Sequence, residues 1–213
     1  MSIPTLPEQL PTSVIRYIGK EVKRVEDPSL VTGETEFIDN VKLPNMLHAA
    51  ILRSPHPHAR IVSINIKAAE QLAGVHAVLT GDDVKAWSNP GTTAPEGWGN
   101  YCMAVGKVRF VGEPVVAVAA ESRYLAEDAL ELIEIEYEVL PSVPTPAVAM
   151  AAGAPIVFEE RGSNIILKKD FVWGEVDRLF AEADHVIGDS FRWNRCGANP
   201  TETFGCICTW DVV

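Results

Sequence analysis

The protein has 213 residues, of which 47% are apolar and 22% charged, and its formal net charge is −11. This composition is ordinary for a globular protein and argues against a disordered or fibrous chain. The acidic balance, with Lys and Arg scattered along the sequence, disfavours nucleic-acid binding. Residues 1–15 carry three prolines and no signal-peptide pattern, which predicts a flexible leader. No apolar run approaches the roughly 20 residues that cross a membrane, so we expect a soluble, cytoplasmic protein.

The next part of the chain alternates strand patterns with short helical patterns. A charged, turn-like stretch ends at Gly33 and precedes a possible short strand at residues 34–38. Compact apolar runs and period-two alternation predict strands at residues 47–53, 61–66 and 75–80. Two prolines within residues 54–58 forbid regular ladder bonding, so we expect a rigid loop there. A short helix at residues 67–72, ended by Gly74, completes a β-loop-β-α-β unit.

A second group of elements follows a long loop rich in glycine and proline at residues 88–99. The pattern is extended again at residues 108–110, and Gly112-Glu113-Pro114 predicts a tight turn. The continuous apolar run at residues 115–120 is typical of a strand covered on both faces. Ser122 is a candidate N-cap for the helix that follows. From residue 133 to 139 the period changes to two, which predicts an amphipathic strand.

Residues 141–155 contain four prolines separated by small residues and predict a linker with a domain boundary. Beyond the linker, alternation predicts strands near residues 164–167, 185–193 and 204–210, and apolar spacing predicts a helix at residues 176–183. A segment of about 58 residues is marginal as an independent domain. We therefore expect its sheet to be completed by further chain or by a partner, at the edge that Ile207 would occupy.

Cysteines and histidines are the first candidates for reactive chemistry. Cys206 and Cys208 would share one face of the last predicted strand, but their spacing matches neither a zinc knuckle nor an iron–sulfur loop. Small core-facing residues are favoured over a cysteine nucleophile. The sequence His48…His56-Pro57-His58 could supply metal ligands, but the flanking prolines favour a rigid exposed turn.

The acidic residues offer no better candidate for catalysis. Six carboxylates lie on the polar side of the helix and strand between residues 123 and 139, and a solvated face is the favoured interpretation. The sequence contains no G-x-x-x-x-G-K-[ST], G-x-S-x-G or H-E-x-x-H motif. Considered alone, the residues therefore indicate no self-contained active site.

Four ordered blocks nevertheless resemble a known family. They are IGKEVKRVEDPSLVTG at residues 18–33, LPNMLHAAILRSPHPHARI at 43–61, GVHAVLTGDD at 74–83 and VRFVGEPV at 108–115. A later NPTET at residues 199–203 resembles the N-P-x-E-T that opens the family's molybdenum-binding region. Together they resemble the molybdopterin-binding large subunits of the xanthine dehydrogenase and aldehyde oxidase family, especially the aerobic carbon monoxide dehydrogenase-like branch.

The resemblance implies an α+β fold in two parts. Residues 16–140 would form an a/b hammerhead domain of mixed strands and short helices. After the linker at 141–155, residues 156–213 would form the incomplete start of a molybdopterin-binding domain. The resemblance gives backbone-shaping roles, near the interface or the cofactor domain, to Gly112, Glu113, Pro114, Asn199, Pro200, Glu202 and Thr203. A tight turn and a strand entry are the alternative interpretations of the two motifs.

The resemblance also implies a function. The chain would be a structural component of a molybdenum hydroxylase that oxidises an aldehyde, an N-heterocycle or a similar small substrate with oxygen derived from water. Its molybdopterin-molybdenum cofactor would be bound mainly by a downstream part of the large subunit, with iron–sulfur clusters and FAD on separate small and medium subunits. The family's catalytic and cofactor-binding residues match no position here, so no catalytic, cofactor or metal residue is assigned. The alternative is a stand-alone or truncated hammerhead module that acts only in assembly or binding.

Overall fold

A computed structural model describes Tyr17, Pro95 and residues 19–91, 98–194 and 196–210. The predicted leader at residues 1–15 lies outside the described residues. The chain forms two compact units, one from residues 1–43 with 191–213 and one from residues 44–190. Every strand of the described residues belongs to the second unit.

Short elements make up both units. They are, in chain order, α1 (Asp27–Thr32), the 3-10 helix η1 (Ile38–Asn40), β1 (His48–Arg53), β2 (Ala59–Asn65), α2 (Lys67–Glu70), β3 (Val75–Thr80), α3 (Gly81–Trp87), β4 (Lys107–Val108), β5 (Pro114–Ala120), α4 (Arg123–Glu131), β6 (Glu134–Val139), α5 (Pro146–Ala149), the 3-10 helix η2 (Glu159–Arg161) and α6 (Val176–Glu182).

The first sheet has the order β1-β5-β3, and both pairs are antiparallel. Its central strand β5 places Ala117 opposite Ile51 on one side and Leu79 on the other. Val115 and Val116 are both fully buried although they point to opposite faces of the sheet. The prediction of a strand covered on both faces is therefore confirmed.

The second sheet has the order β4-β2-β6, again antiparallel. Its register places the glutamates of β6 opposite polar residues of β2. Arg60 donates to the Glu138 carboxylate at 2.9 Å, and Asn65 donates to Glu134 at 3.0 Å. These exposed pairs stabilise the register of the two strands.

A small apolar core fills the second unit. Helix α4 begins at the predicted N-cap Ser122, whose hydroxyl oxygen accepts the Leu125 N–H at 3.2 Å. The helix packs its buried Ala129 toward β1 and β5. The core consists of small and branched side chains, namely Ala59, Ala69, Val78, Ala104, Val108, Val115, Val116, Val118, Ala129 and Ile133.

The elements predicted between residues 47 and 139 are confirmed, with boundaries shifted by a few residues. The strand predicted at residues 34–38 is wrong, because local contacts use its backbone donors. The Glu34 and Thr35 N–H groups donate to the Ser29 carbonyl at 3.0 and 3.2 Å, where Gly33 ends α1 in a left-handed conformation. The Phe37 N–H donates to the Asn40 side chain at 3.1 Å.

The predictions for residues 156–213 are confirmed only in part. The helix is confirmed as α6, but the strands at 164–167, 185–193 and 204–210 are wrong. Asn164 is committed to a loop, where its amide accepts the Val157 N–H and donates to the Ala149 and Pro155 carbonyls at 2.8 to 3.0 Å. The other two segments have no strand neighbour among the described residues, and alternation alone cannot replace a hydrogen-bonded partner.

All four cysteines are exposed and free, so the prediction of core-facing thiols at Cys206 and Cys208 is wrong. Without a strand around them, these side chains have no core to face. No helix in the described ranges is long and apolar enough to span a membrane.

Candidate functional site

The turn between β4 and β5 holds the first group of predicted site residues, Gly112, Glu113 and Pro114. Gly112 has a φ of 89°, a left-handed conformation that favours glycine. Three hydrogen bonds fix the turn to the end of β1. The Gly112 carbonyl accepts from Arg53 at 2.9 Å, the Gly112 N–H donates to the Ser54 carbonyl at 2.8 Å, and the Ser54 N–H donates to the Glu113 carbonyl at 2.9 Å.

The Glu113 side chain closes this turn from inside. The residue is only 4% exposed, and its carboxylate accepts the backbone N–H of Arg109. Burial raises the pKa of the Glu113 carboxyl above its ordinary value, although the Arg109 backbone and charge and the Phe110 backbone act in the other direction. Glu113 therefore orders the backbone of the turn from a buried position.

Two basic side chains near β4 pair with consecutive acids of η2. Lys107 Nζ lies 3.2 Å from the Glu159 carboxylate, and an Arg109 Nη lies 3.1 Å from Glu160. Burial raises the pKa of Glu160, but its own backbone hydrogen bond and the Arg109 and Lys107 charges outweigh burial, so the pKa lies below its ordinary value. These pairs attach the chain after the proline-rich segment to β4.

A cavity of about 620 Å³ lies beside these pairs, within the unit formed by residues 44–190. Arg109, Glu113 and Glu160 all contribute to its lining. Its volume is typical of small-molecule sites. Among the features next to the turn, this cavity most closely resembles a ligand-binding site.

The histidine segment has structural contacts. His58 is 2% exposed, and its Nδ1 donates to the Pro141 carbonyl at 2.7 Å. The His56 ring packs edge-on against Tyr137, with centroids 5.0 Å apart. Among the described residues, no group of three or more His, Cys, Asp or Glu side chains could hold a metal ion. The alternative of a histidine metal site therefore gains no support.

The second group of predicted site residues lies in the other unit, where Glu202 contacts η1. The Glu202 carboxylate accepts the Ile38 N–H at 3.0 Å. Asn199 has a φ of 41°, and the backbone of Gly205 lies against the Ile38 side chain. Pro200, Thr203 and Ile207 lie on the same exposed segment, so the structure divides the predicted site residues between two units.

Comparison with known proteins identifies the family of this chain. The a/b hammerhead domain of aldehyde oxidase and xanthine dehydrogenase matches residues 32–141. The chain belongs to this family. The match contains all six strands of the described residues, so the predicted family and the predicted hammerhead fold are confirmed.

Individual relatives extend the similarity beyond the hammerhead domain. The chain is 37% identical to the nicotine 6-hydroxylase large subunit of Paenarthrobacter nicotinovorans, over 91% of this chain and 24% of the relative. It is 36% identical to the carbon monoxide dehydrogenase large chain of Afipia carboxidovorans, over 100% of this chain and 28% of the relative. The structure of quinoline 2-oxidoreductase from Pseudomonas putida 86 matches with a TM-score of 0.68 and 39% identity, over 78% of this chain and 22% of that chain. The chain thus spans about a quarter of the length of these relatives.

Sequence reasoning missed the ion pairs that attach η2 to the hammerhead domain. The pairs join residues about 50 positions apart, and the acids lie beyond the predicted linker. A signal was present, because Lys107 and Arg109 alternate on an extended segment and Glu159-Glu160 is an adjacent acidic pair. Opposite charges about 50 residues apart in the sequence predict a contact only when the fold is known to bring the two segments together.

Proposed function

We propose that this chain is the hammerhead-containing part of the molybdopterin-binding large subunit of a molybdenum hydroxylase. Family membership and similarity to about a quarter of several large subunits support this proposal. In this proposal residues 16–140 form the hammerhead domain, 141–155 the linker and 156–213 the start of the cofactor-binding domain. The complete enzyme would oxidise an aldehyde, an N-heterocycle or a similar small substrate with oxygen from water.

The observation that carries the proposal is the apolar surface after the linker. Phe191, Trp193 and Phe204 expose more than nine-tenths of their surface. Large apolar side chains that are exposed to this extent favour burial against a partner. Because this chain matches only 24% and 28% of the length of two relatives, the remaining part of the large subunit is the proposed cover for these side chains.

We propose that the family's cofactors are bound by the complete enzyme complex. No group of three or more metal-ligating side chains is found among the described residues, and no catalytic step is derived for them. We propose that molybdopterin-molybdenum is bound mainly by the rest of the large subunit, with iron–sulfur clusters on a small subunit and FAD on a medium subunit. This chain contributes structure to that complex.

Native purification tests the proposal. The chain, tagged in its source organism, is purified without denaturant, and co-purifying polypeptides, molybdenum, iron and flavin are quantified per chain. We expect a further large-subunit polypeptide together with molybdenum, iron and flavin in fixed ratio. Recovery of the bare chain without these components would overturn the proposal and favour a stand-alone hammerhead module.

A matched pair of variants links the result to the apolar surface. Ile207→Asp places a charge on an apolar side chain of the segment, whereas Thr209→Asp places the same charge two residues away on a polar one. We expect only Ile207→Asp to reduce recovery of the other components. Equal effects from both variants would show that charge alone, and not apolar contact, governs the association.

A further inference from the structure

The cavity beside Arg109 contains a buried donor that no described residue satisfies. Arg109 Nε is fully buried and lacks a hydrogen-bond partner. One Nη of the same guanidinium is bonded to Glu160 at 3.1 Å, and the group lies over the Phe158 ring at 4.7 Å from its centroid. The side chain is therefore fixed in place while one donor remains unused. An unsatisfied buried donor costs about 1–3 kcal/mol, so it demands an explanation.

The charges that line the cavity favour a singly charged anion. Lys85 and Arg161 line it and form no ion pair with any described residue. With Arg109 they supply three positive charges against the carboxylates of Glu113 and Glu160. Among the described lining residues the cations outnumber the carboxylates, although the chain as a whole has a net charge of −11. A monoanion suits such a lining better than a dianionic phosphate, which would place a second negative charge near two carboxylates.

The remaining walls are apolar or aromatic. Phe158 and Tyr101 line the cavity together with Met103 and Pro90. Phe158 is held by Trp98, whose ring centroid lies 5.2 Å away. These surfaces suit a flat apolar body next to the charged group.

We propose that this cavity binds a carboxylate carried on a flat or apolar body, with the Arg109 guanidinium as its cationic partner. Arginine recognises carboxylates through parallel N–H donors, a geometry that lysine cannot reproduce. Lys85 and Arg161, which also line the cavity, contribute further positive charge. The carboxylate belongs either to a free small acid or to an acidic side chain of a polypeptide. This inference does not depend on the proposed function.

Titration of the full chain with sodium benzoate tests the proposal, with benzamide as the neutral probe of the same shape. Tryptophan fluorescence reports binding through Trp98, and ligand-observed NMR provides an independent readout. We expect benzoate to bind with a dissociation constant below about 1 mM and benzamide to bind at least tenfold more weakly. No saturable benzoate binding, or equal affinity for both probes, would overturn the proposal.

Variants connect the binding to Arg109. Arg109→Met should weaken benzoate binding at least tenfold, and Arg178→Met, which removes an exposed arginine from α6, should leave it unchanged. Arg109→Lys retains the positive charge but loses the planar guanidinium, so it should also bind weakly and serves if the Met variant fails to fold. Wild-type affinity in a folded Arg109 variant would contradict the proposal.

A peptide probe distinguishes the two sources of the carboxylate. The blocked tripeptide acetyl-Gly-Glu-Gly-amide presents a side-chain carboxylate on a polypeptide backbone. Displacement of benzoate by this peptide at lower concentration than benzoate itself indicates a polypeptide source. Benzoate binding that the peptide does not displace indicates a free small acid, and both results support a carboxylate site.

Discussion

The Arg109 guanidinium lies 4.7 Å above the centre of the Phe158 ring and joins the end of β4 to a residue 49 positions later in the chain. Trp98 contacts the same ring from a third segment. Three stretches of sequence thus meet at Phe158. The ring therefore holds the residues beyond the proline-rich stretch against the segments that flank β4.

Phe158→Ala should therefore loosen this attachment. A desolvated cation–π contact contributes about 1–2 kcal/mol, and the ring contact with Trp98 adds to it. We expect a loss of about 2 kcal/mol in the free energy of unfolding, measured by urea denaturation of the full chain. Phe171→Ala is the control, because Phe171 is itself exposed and its ring contacts, with Trp173 and Lys169, lie on one short exposed segment and join no distant parts of the chain. Similar losses in both variants would contradict the role given to Phe158.

The buried carboxyl of Glu113 should give the protein an unusual pH response. Its pKa in the folded protein is raised mainly by burial, so the folded state holds this proton more tightly than the unfolded state. The stabilising contribution is complete below the unfolded pKa and is lost as pH rises through the folded pKa. The Gln side chain of Glu113→Gln is neutral at all pH values, so this variant should lack the part of the pH dependence that comes from Glu113. The measurement compares the free energies of unfolding of the wild type and the variant at pH 4 and pH 7.

The acceptor function of Glu113 is tested separately. Glu113→Ala leaves the Arg109 N–H without its partner inside the protein and should cost about 1–3 kcal/mol. Glu113→Gln retains an acceptor oxygen and should cost less at neutral pH. A Gln variant as unstable as the Ala variant would show that the carboxylate charge, and not hydrogen bonding, orders the turn.

The beginning of α3 should show the opposite pH dependence. The Asp83 carboxylate accepts both the N–H and the hydroxyl of Thr80 at 2.7 Å, and these bonds lower the pKa of Asp83. Its contribution to stability is present above the unfolded pKa and is lost as pH falls through the folded value. Asp83→Asn should therefore be destabilising at neutral pH, and its difference from the wild type should shrink in strong acid. Asp82→Asn, which removes a charge from the neighbouring residue, should lack this pattern in acid titrations followed by circular dichroism.

The contact between Glu202 and η1 should protect one backbone amide. Glu202→Ala removes the acceptor of the Ile38 N–H, so hydrogen exchange at Ile38 should become several-fold faster. The amides of Asn40 and Val41 donate to the Phe37 and Ile38 carbonyls and provide internal controls. Unchanged exchange at Ile38 would show that the contact does not order this segment in solution.

The sequence predicts structure well where pattern and partner are both local. The strands between residues 47 and 139 were predicted because apolar periodicity identifies a buried face, and neighbouring strands of the same unit supply their hydrogen bonds. The alternation from Phe204 to Trp210 is equally regular, but no neighbour is available among the described residues and no strand forms. Periodicity thus identifies a side-chain pattern, while pairing decides whether a strand exists.

Of the three turn residues that the family resemblance singles out, only Glu113 lines the cavity, and Gly112 and Pro114 are its neighbours in the chain. Their role near the interface or the cofactor domain stays a prediction. Lys85, Arg109 and Phe158 were missed. These three residues lie on separate segments of the sequence and come together only in the folded chain. A local sequence pattern cannot predict that proximity.

The ion pairs between β4 and η2 also fix an alignment. Lys107 and Arg109 stand two positions apart, while their partners Glu159 and Glu160 are consecutive. Sliding the later segment by one residue would bring Arg161 toward Arg109, so two cations would meet. The charge pattern therefore specifies which residues of the later segment lie opposite Lys107 and Arg109. A change in the length of the proline-rich stretch should therefore leave the contact between β4 and η2 in place.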